Sequence, residues 1–321
     1  TVEIPQNVDI SGLKYQGQAH MGGTGEMHLM TDSSGSEWIF KPAQSKSGIQ
    51  ESFRAYVQEA GYKVQGIVDP DSAVPVGVGE VNIPGKGKIL GAAQQRIGSI
   101  DAAFNLLVWQ LNGGTLDPNI VSQLQRENVT DWLLGNYDCH GRNFVLTQNG
   151  KLIGVNKEQA FRYLSQSGAQ SMSLTYHPNS IYHETEPVYN TLYRRFANGE
   201  IDIKLNDTLA YIKRIEAVPD AEYREIFRSY AEALHGKGAK AEQLLDQIVL
   251  RKQNVRATFE TFYSDLLTQR KGAKTVFQFA DTAGAAVFTT PSPITSTFTP
   301  AALKGLKLAD LQAIAKAQGI K

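Results

Sequence analysis

"NYDCHGRNFVL", residues 136–146, sets Asp138, His140 and Asn143 on one short polar stretch between two apolar segments. Asp138 and Asn143 have four residues between them: Cys139, His140, Gly141 and Arg142. Further on, "KLIGVNKEQAF" (151–161) carries Asn156. The two apolar runs between, "NFVLT" and "KLIGV", are joined by "QNG", and Asn-Gly flanked by such runs signals a tight hairpin turn. A hairpin over 144–155 therefore leads from Asn143 to position 156, and four hydrogen-bonding groups fall close together.

Working upstream, "EWIFKP" (37–42) reads as a strand with Lys41 at its end, joined to "EMHLM" through the turn "DSSGS" (32–36). Gly22, Gly23 and Gly25 cluster in the first hairpin, where backbone without side chains can approach phosphates closely. In "ESFRAYVQEAGYKVQ" (51–65), Phe53, Val57, Ala60 and Val64 recur at helical spacing, and Glu59 lies on the same helix. "AVPVGVGEVNI" and "KGKILGAAQQRI" read as two more strands around a "PGKG" turn.

After residue 100 the character becomes helical. "IDAAFNLLVWQLN" and "PNIVSQLQRENVTDWLLGNY" carry long apolar stripes, the second with Pro118 near its start, where its fixed φ is tolerated. Residues 157–187 lack periodicity and read as a long ordered loop that shapes an acceptor site. Residues 188–272 return to amphipathic helices. The expected fold is α+β and bilobal, with a β-rich small lobe holding one helix at 12–97 and a mainly helical lobe at 98–272. Residues 273–300, rich in Thr, Ser, Pro and Ala, read as a linker, and 301–321 as a short helical tail.

Composition excludes several classes. The chain has 321 residues, 41% hydrophobic and 20% charged, enough for two domains with a substantial core. Lys and Arg balance Asp and Glu, 32 against 32, so no global field argues for nucleic acid or a membrane surface. Cys139 is the one cysteine, which leaves no internal disulfide and suits a reducing compartment. No apolar run approaches the roughly 20 residues of a membrane span. The polar start lacks signal-peptide order, and Thr in first place suggests a processed or trimmed start. A cytoplasmic location is expected, with delivery into a target cell left open.

Phosphoryl transfer from ATP asks a protein for a cation at the phosphates, a metal between β- and γ-oxygens, and a base beside the attacking hydroxyl. In kinases the base Asp and a metal-binding Asn stand on one loop with four residues between them, and a second metal ligand follows a short hairpin. Asp138, Asn143 and position 156 match that order, with Lys41 upstream for the phosphates and Glu59 as the carboxylate that would hold the lysine. The glycine cluster alone is a weak sign. The ordered set is a strong one.

On these motifs the chain resembles the phosphoinositide 3-/4-kinase-like branch of the protein-kinase fold, including its bacterial and phage-associated members. "DCHGRN" matches that branch's Asp-x-His-x-x-Asn loop, and "IGVNKEQAF" is similar to its Ile-x-Asp-x-x-x-x-Phe metal segment. "GAAQQRI" (91–97), with Gln95 and Ile97, is similar to the strand entering the adenine-binding hinge. The likeness covers roughly residues 12–270, with perhaps thirty positions in specific motifs. It implies ATP and Mg²⁺ as cofactors, Asp138 and His140 as catalytic groups, and Asn143 and Asn156 at the metal. It also implies Lys41, Glu59, Gln95, Ile97 and the glycines 22, 23 and 25 at the nucleotide.

One position departs. The family has Asp where this chain has Asn156, and an amide offers a hard dication a neutral oxygen instead of a full charge. Either the chain is a natural pseudokinase acting as a nucleotide-binding scaffold or phage or effector component, or it is an Asp-to-Asn variant of an active, toxic or self-modifying kinase. The acceptor is unknown, with protein favoured over lipid.

Plainer readings stand beside these. Asp138 and His140 suit an ordinary loop pair at a helix end, Lys41 a surface lysine, and Glu59, with Glu51 and Gln58, a solvated helix face. His20 and His28 read as satisfied strand histidines, and Cys139 as a small buried residue. His177 and His183 are too far apart in an irregular loop to claim a metal. "LKGLKLADLQAIAKAQGI" resembles half of a Rho-N-like or SAP-like motif, which makes nucleic-acid binding a third and weaker hypothesis.

Overall fold

The computed structural model describes residues 1–19, 25–166, 169, 172–178 and 185–281. Gly22, Gly23, His20, His183, most of the expected linker and the whole 301–321 tail lie outside them. The architecture is mixed, with a β-sheet N-terminal part and a helical C-terminal part. The chain groups into two compact units, one of Thr1–Gly98 with Arg214–Lys252, the other of Ser99–Lys213 with the described residues from Gln253 onward. These units and the expected halves 12–97 and 98–272 are different partitions, because residues 1–11 and 214–252 group with the sheet.

The first unit is built on a five-stranded antiparallel sheet: β1 (Lys14–Gln18), β2 (His28–Thr31), β3 (Glu37–Pro42), β4 (Val76–Ile83) and β5 (Gly87–Gln95), in the order β1-β2-β3-β5-β4. The turn after β2 is pinned by Asp32, whose Oδ1 accepts the backbone N–H groups of Ser34 and Ser36 while Oδ2 takes the Trp38 indole. Strand alternation sends Met30, Trp38, Phe40 and Ala93 to one face, where Ile10 from the N-terminal segment packs on them. Glycines keep that face open. A Cβ on Gly77 would come within 2.5 Å of Ile10 Cγ2, and one on Gly91 would strike the Lys41 carbonyl.

The opposite face is covered by α1 (Phe53–Val68), whose Val57, Ala60 and Val64 are buried as the helical spacing predicts. Ala55 of α1 packs with Ala92 and Val76. Ala92 stands opposite Lys41 in the β3–β5 register, so Lys41 lies on this α1-covered face.

In the second unit, α2 (Leu106–Asn112) and α3 (Pro118–Leu133) are followed by the hairpin β6 (Phe144–Leu146) and β7 (Leu152–Gly154). Pro118 stands at the first position of α3, behind an Asp117 that accepts the Asn119 N–H at 2.7 Å. Then come α4 (Val188–Ala197) and α5 (Leu209–Glu216). In the first unit, α6 (Asp220–Ile226) and α7 (Arg228–His235) follow, with α7 packed against α1. The last described helix, α8, runs Ala239–Lys271. Residues 273–281 lie along α8: Phe277 N–H donates to Ser264 Oγ at 2.8 Å, and the Phe277 and Phe279 rings meet Tyr263 edge-on. Among the described residues no helix is long and apolar enough to cross a membrane.

Helix α3 departs from a simple apolar stripe. Gln123, Gln125, Arg126, Glu127, Asn128 and Asp131 are all buried. A buried polar group needs partners, and the hairpin supplies several. Leu152 N–H donates to Gln123 Oε1 at 2.7 Å, Gln123 Nε2 donates to the Gly150 carbonyl at 2.9 Å, and Arg126 Nη2 donates to the Leu152 carbonyl. The helix thereby grips the hairpin that leads to position 156.

Candidate active site

The polar loop leaves α3 through Gly135, whose φ of 51° lies in the left-handed region that glycine occupies without cost. Asn136 then folds back on the helix, its backbone N–H to the Asp131 carbonyl at 2.9 Å and its Nδ2 to Asp131 Oδ1 at 2.8 Å. Asn136 Oδ1 in turn accepts the Asp138 N–H at 3.2 Å. The Asp138 and His140 side chains meet, Oδ1 to Nε2, at 3.3 Å. His140 Nδ1 accepts the Arg142 N–H at 3.2 Å, so the ring proton sits on Nε2 and points to the carboxylate.

A 3₁₀ turn, Gly141–Asn143, closes the loop. Asn143 Nδ2 donates to the Asp138 carbonyl at 2.6 Å, which commits the amide nitrogen and leaves Oδ1 as the acceptor. Val155 N–H donates to the Asn143 carbonyl at 2.8 Å. That bond brings the chain one residue before Asn156 against the loop. Asn156 itself has a φ of 65°, a conformation that Asn tolerates better than most residues. Asp138, His140, Asn143 and position 156 are thus gathered in one place in the second unit.

Gly141 has a packing reason that motif spacing does not show. Its N–H donates to Gln110 Oε1 at 3.1 Å, and a Cβ there would fall 2.5 Å from Leu107 Cα. The loop therefore lies directly on the backbone of α2.

The other candidates stand in the first unit. Glu59 is half-buried on α1, accepts the Val78 backbone N–H and faces Lys63; burial, the larger influence, raises its carboxyl above the usual range. Gly25 is an exposed bend. Beside it, Glu26 gathers Lys86 Nζ at 2.5 Å, His28 Nε2 at 2.8 Å and Gln44 Nε2 at 3.0 Å; His28 is a buried strand histidine only half satisfied, its Nδ1 having no hydrogen-bond partner among the described residues. Gln95 ends β5 opposite Trp38, with its N–H on the Pro75 carbonyl at 2.9 Å, and Ile97 follows half-buried.

A buried ionic cluster behind the loop was not singled out from sequence. Lys157 Nζ lies 2.7 Å from Asp131 Oδ1 and 3.8 Å from Glu127 Oε2, and Arg126 pairs with Glu127 at 3.0 Å. Tyr189 donates its hydroxyl to Asp131 Oδ2 at 2.6 Å. Burial alone would lower the Lys157 pKa, but Asp131 and Glu127 together outweigh it and the net direction is up. The one sequence sign was a carboxylate, Asp131, set against Trp132, Leu133 and Leu134.

Cys139 is buried, and that burial, with Asp131 and Asp138 adding, pushes its thiol well above the ordinary range. A thiol reagent at pH 8 is therefore expected to label the native chain at least ~10-fold more slowly than the unfolded chain, since each unit of pKa shift removes about tenfold of the thiolate. Equal rates in the two states would contradict the burial.

A divalent cation can be tested against this donor set. Among the described residues no group of three or more His, Cys, Asp and Glu stands ready for a metal. Asn143 and Asn156 supply oxygens of the right kind for Mg²⁺ but without charge. The residues fit the ion in kind and would hold it weakly.

No protein-family model matches the chain, and no curated protein matches it. Among solved structures it is similar to a proinflammatory kinase of Helicobacter pylori, CtkA, at 12% identity over 82% of this chain and 98% of that one, with a TM-score of 0.45. It is similar to the golgi casein kinase at 10% identity over 84% and 78%, TM-score 0.42. It is also similar to the MAP kinase LmaMPK10 of Leishmania major at 12% identity over 84% and 89%, TM-score 0.31.

Proposed function

We propose that the chain is a kinase-type phosphotransferase that carries the γ-phosphate of ATP to a hydroxyl acceptor, a protein in preference to a lipid. In this reading Asn156 holds the chain in a weakened state. The observation that carries the proposal is the Val155–Asn143 hydrogen bond, which sets position 156 beside the Asp138–His140–Asn143 loop. Asp138 accepts the acceptor's proton, and His140 orients it from Nε2. Asn143 and residue 156 would hold Mg²⁺, which when bound would neutralise charge on the phosphate oxygens. Lys41 is assigned to the α- and β-phosphates, Glu59 to Lys41 on the family pattern, Gln95 and Ile97 to the adenine, and the 22–25 glycines to the triphosphate. A pocket beside the loop, walled in part by Asn128, Tyr137, Met172, Ser173 and Asn190, has the mixed polar and apolar lining that suits an acceptor side chain.

The test is γ-labelled ATP with the Asn156→Asp form and a whole lysate, beside an Asn156→Asp, Asp138→Asn control. A labelled protein band present in the first and absent from the second is expected. Label confined to the lipid extract would replace the acceptor class, and no label in either would overturn the kinase reading. A second reading, a nucleotide-binding scaffold, draws on the two neutral amides at the metal position. It predicts thermal stabilisation by ATP and Mg²⁺ with no label in any form.

A further inference from the structure

The two chain segments that make the candidate site meet at one carboxylate, which also lines the pocket assigned above to the acceptor. Asp131 stands in the last turn of α3 and is 1% exposed. Its Oδ1 accepts from Asn136 Nδ2 and from Lys157 Nζ, and its Oδ2 from the Tyr189 hydroxyl, all within 2.6–2.8 Å. Asn136 begins the loop and accepts the Asp138 N–H. Lys157 is the residue after Asn156. One side of the carboxylate therefore holds the Asp138–Asn143 loop, and the same oxygen holds the residue next to the second metal position.

We propose that Asp131, with Lys157 and Tyr189, forms a positioning unit that sets residue 156 against the Asp138–Asn143 loop; the inference rests on the kinase reading above. The physical case begins with cost. Buried ion pairs are often no more stabilising than apolar residues of the same volume, so fold stability alone gives weak grounds for this cluster. What charged, hydrogen-bonded donors add is direction, because each must lie along a short, near-linear line to the carboxylate. The neighbouring strand accommodates them. A Cβ on Gly154 would come within 2.6 Å of Glu127 Oε2 and 2.9 Å of Lys157 Nζ, so the strand leading to position 156 carries no side chain where the cluster sits.

The test uses the full-length Asn156→Asp chain as parent and adds Asp131→Asn, Lys157→Met, or both. Each single change leaves a buried charge short of its partner and is expected to lower the thermal midpoint. The double change removes both charges and keeps the Arg126–Glu127 pair, so most of that loss is recovered. At recovered midpoint, affinity for ATP with Mg²⁺ by calorimetry, and turnover, are expected to stay ~10- to 100-fold below the parent, as when outer partners of metal ligands are lost. Amide hydrogen exchange over 136–143 and 155–157 is expected to quicken together. Tyr189→Phe, which removes one donor and unpairs no charge, should give the same joint change at smaller size. A double variant with recovered midpoint and the parent's affinity and exchange rates would overturn the proposal, as would exchange that quickens in one segment alone. If the parent shows no turnover, the kinase reading fails, and joint or separate exchange still decides whether Asp131 couples the two segments.

Discussion

Asn156→Asp is expected to raise phosphate transfer by about 10²–10³-fold, the scale on which losing one well-placed electrostatic stabiliser slows an enzyme. The two side chains have the same shape, and Asp accepts the left-handed backbone that Asn156 occupies at φ 65°. The exchange should therefore leave the Val155–Asn143 bond in place and change charge alone. The nearest cation in sequence, Lys157, is already turned to Asp131 at 2.7 Å and buried, so it is committed away from the new carboxylate. A carboxylate there would offer a metal ion a charged oxygen in place of the amide's neutral one. Turnover with γ-labelled ATP, measured across Mg²⁺ concentrations, gives the comparison, and the Asp form should reach half-maximal rate at lower Mg²⁺. Indistinguishable rates and Mg²⁺ dependences in the two forms would mean that the amide is no lesion and that the site does something other than transfer phosphate.

The elements that a reader of the sequence can place are those whose signal is local. "DSSGS" and "QNG" announce hairpins through turn chemistry, and Val57, Ala60 and Val64 announce α1 through spacing; all are where local rules put them. The loop was legible for the same reason, since Asp138, His140 and Asn143 are neighbours in the chain. What escaped depends on partners far away. Periodicity counts apolar positions and says nothing of Arg126, Glu127 and Asp131, whose partners arrive from residues 152, 157 and 189. Phe277 and Phe279 sit in a stretch whose composition reads as linker, and only the Tyr263 ring explains them. The packing of Ile10 over Gly77 was hidden likewise, because a glycine reports only that space is needed and not what fills it.

Gly141→Ala should show how tightly the loop is bound to the helix beneath it. The α-carbon of Gly141 faces the first turn of α2, where an added methyl would lie 2.5 Å from Leu107 Cα and 2.7 Å from the Leu106 carbonyl carbon. These are backbone atoms, and the Leu106 and Leu107 side chains are fully buried, so α2 cannot swing aside as a surface side chain would. The strain must go into the loop, which would lift off and stretch the Gly141 N–H bond to Gln110. Overpacking of this kind costs about 1–3 kcal/mol, and a backbone obstacle points to the upper end, about 3 kcal/mol by denaturant titration. Function should suffer more than stability. A displacement of about 1 Å carries Asp138 and Asn143 with it, and misplacement on that scale costs about 10²-fold in rate, read in the Asn156→Asp background. Gly12→Ala is the control, because no atom lies within 4 Å of the added methyl and its backbone is ordinary. If Gly141→Ala matches that control in both stability and turnover, the loop is not seated on α2, and the spacing of Asp138 and Asn143 is held by the 3₁₀ turn alone.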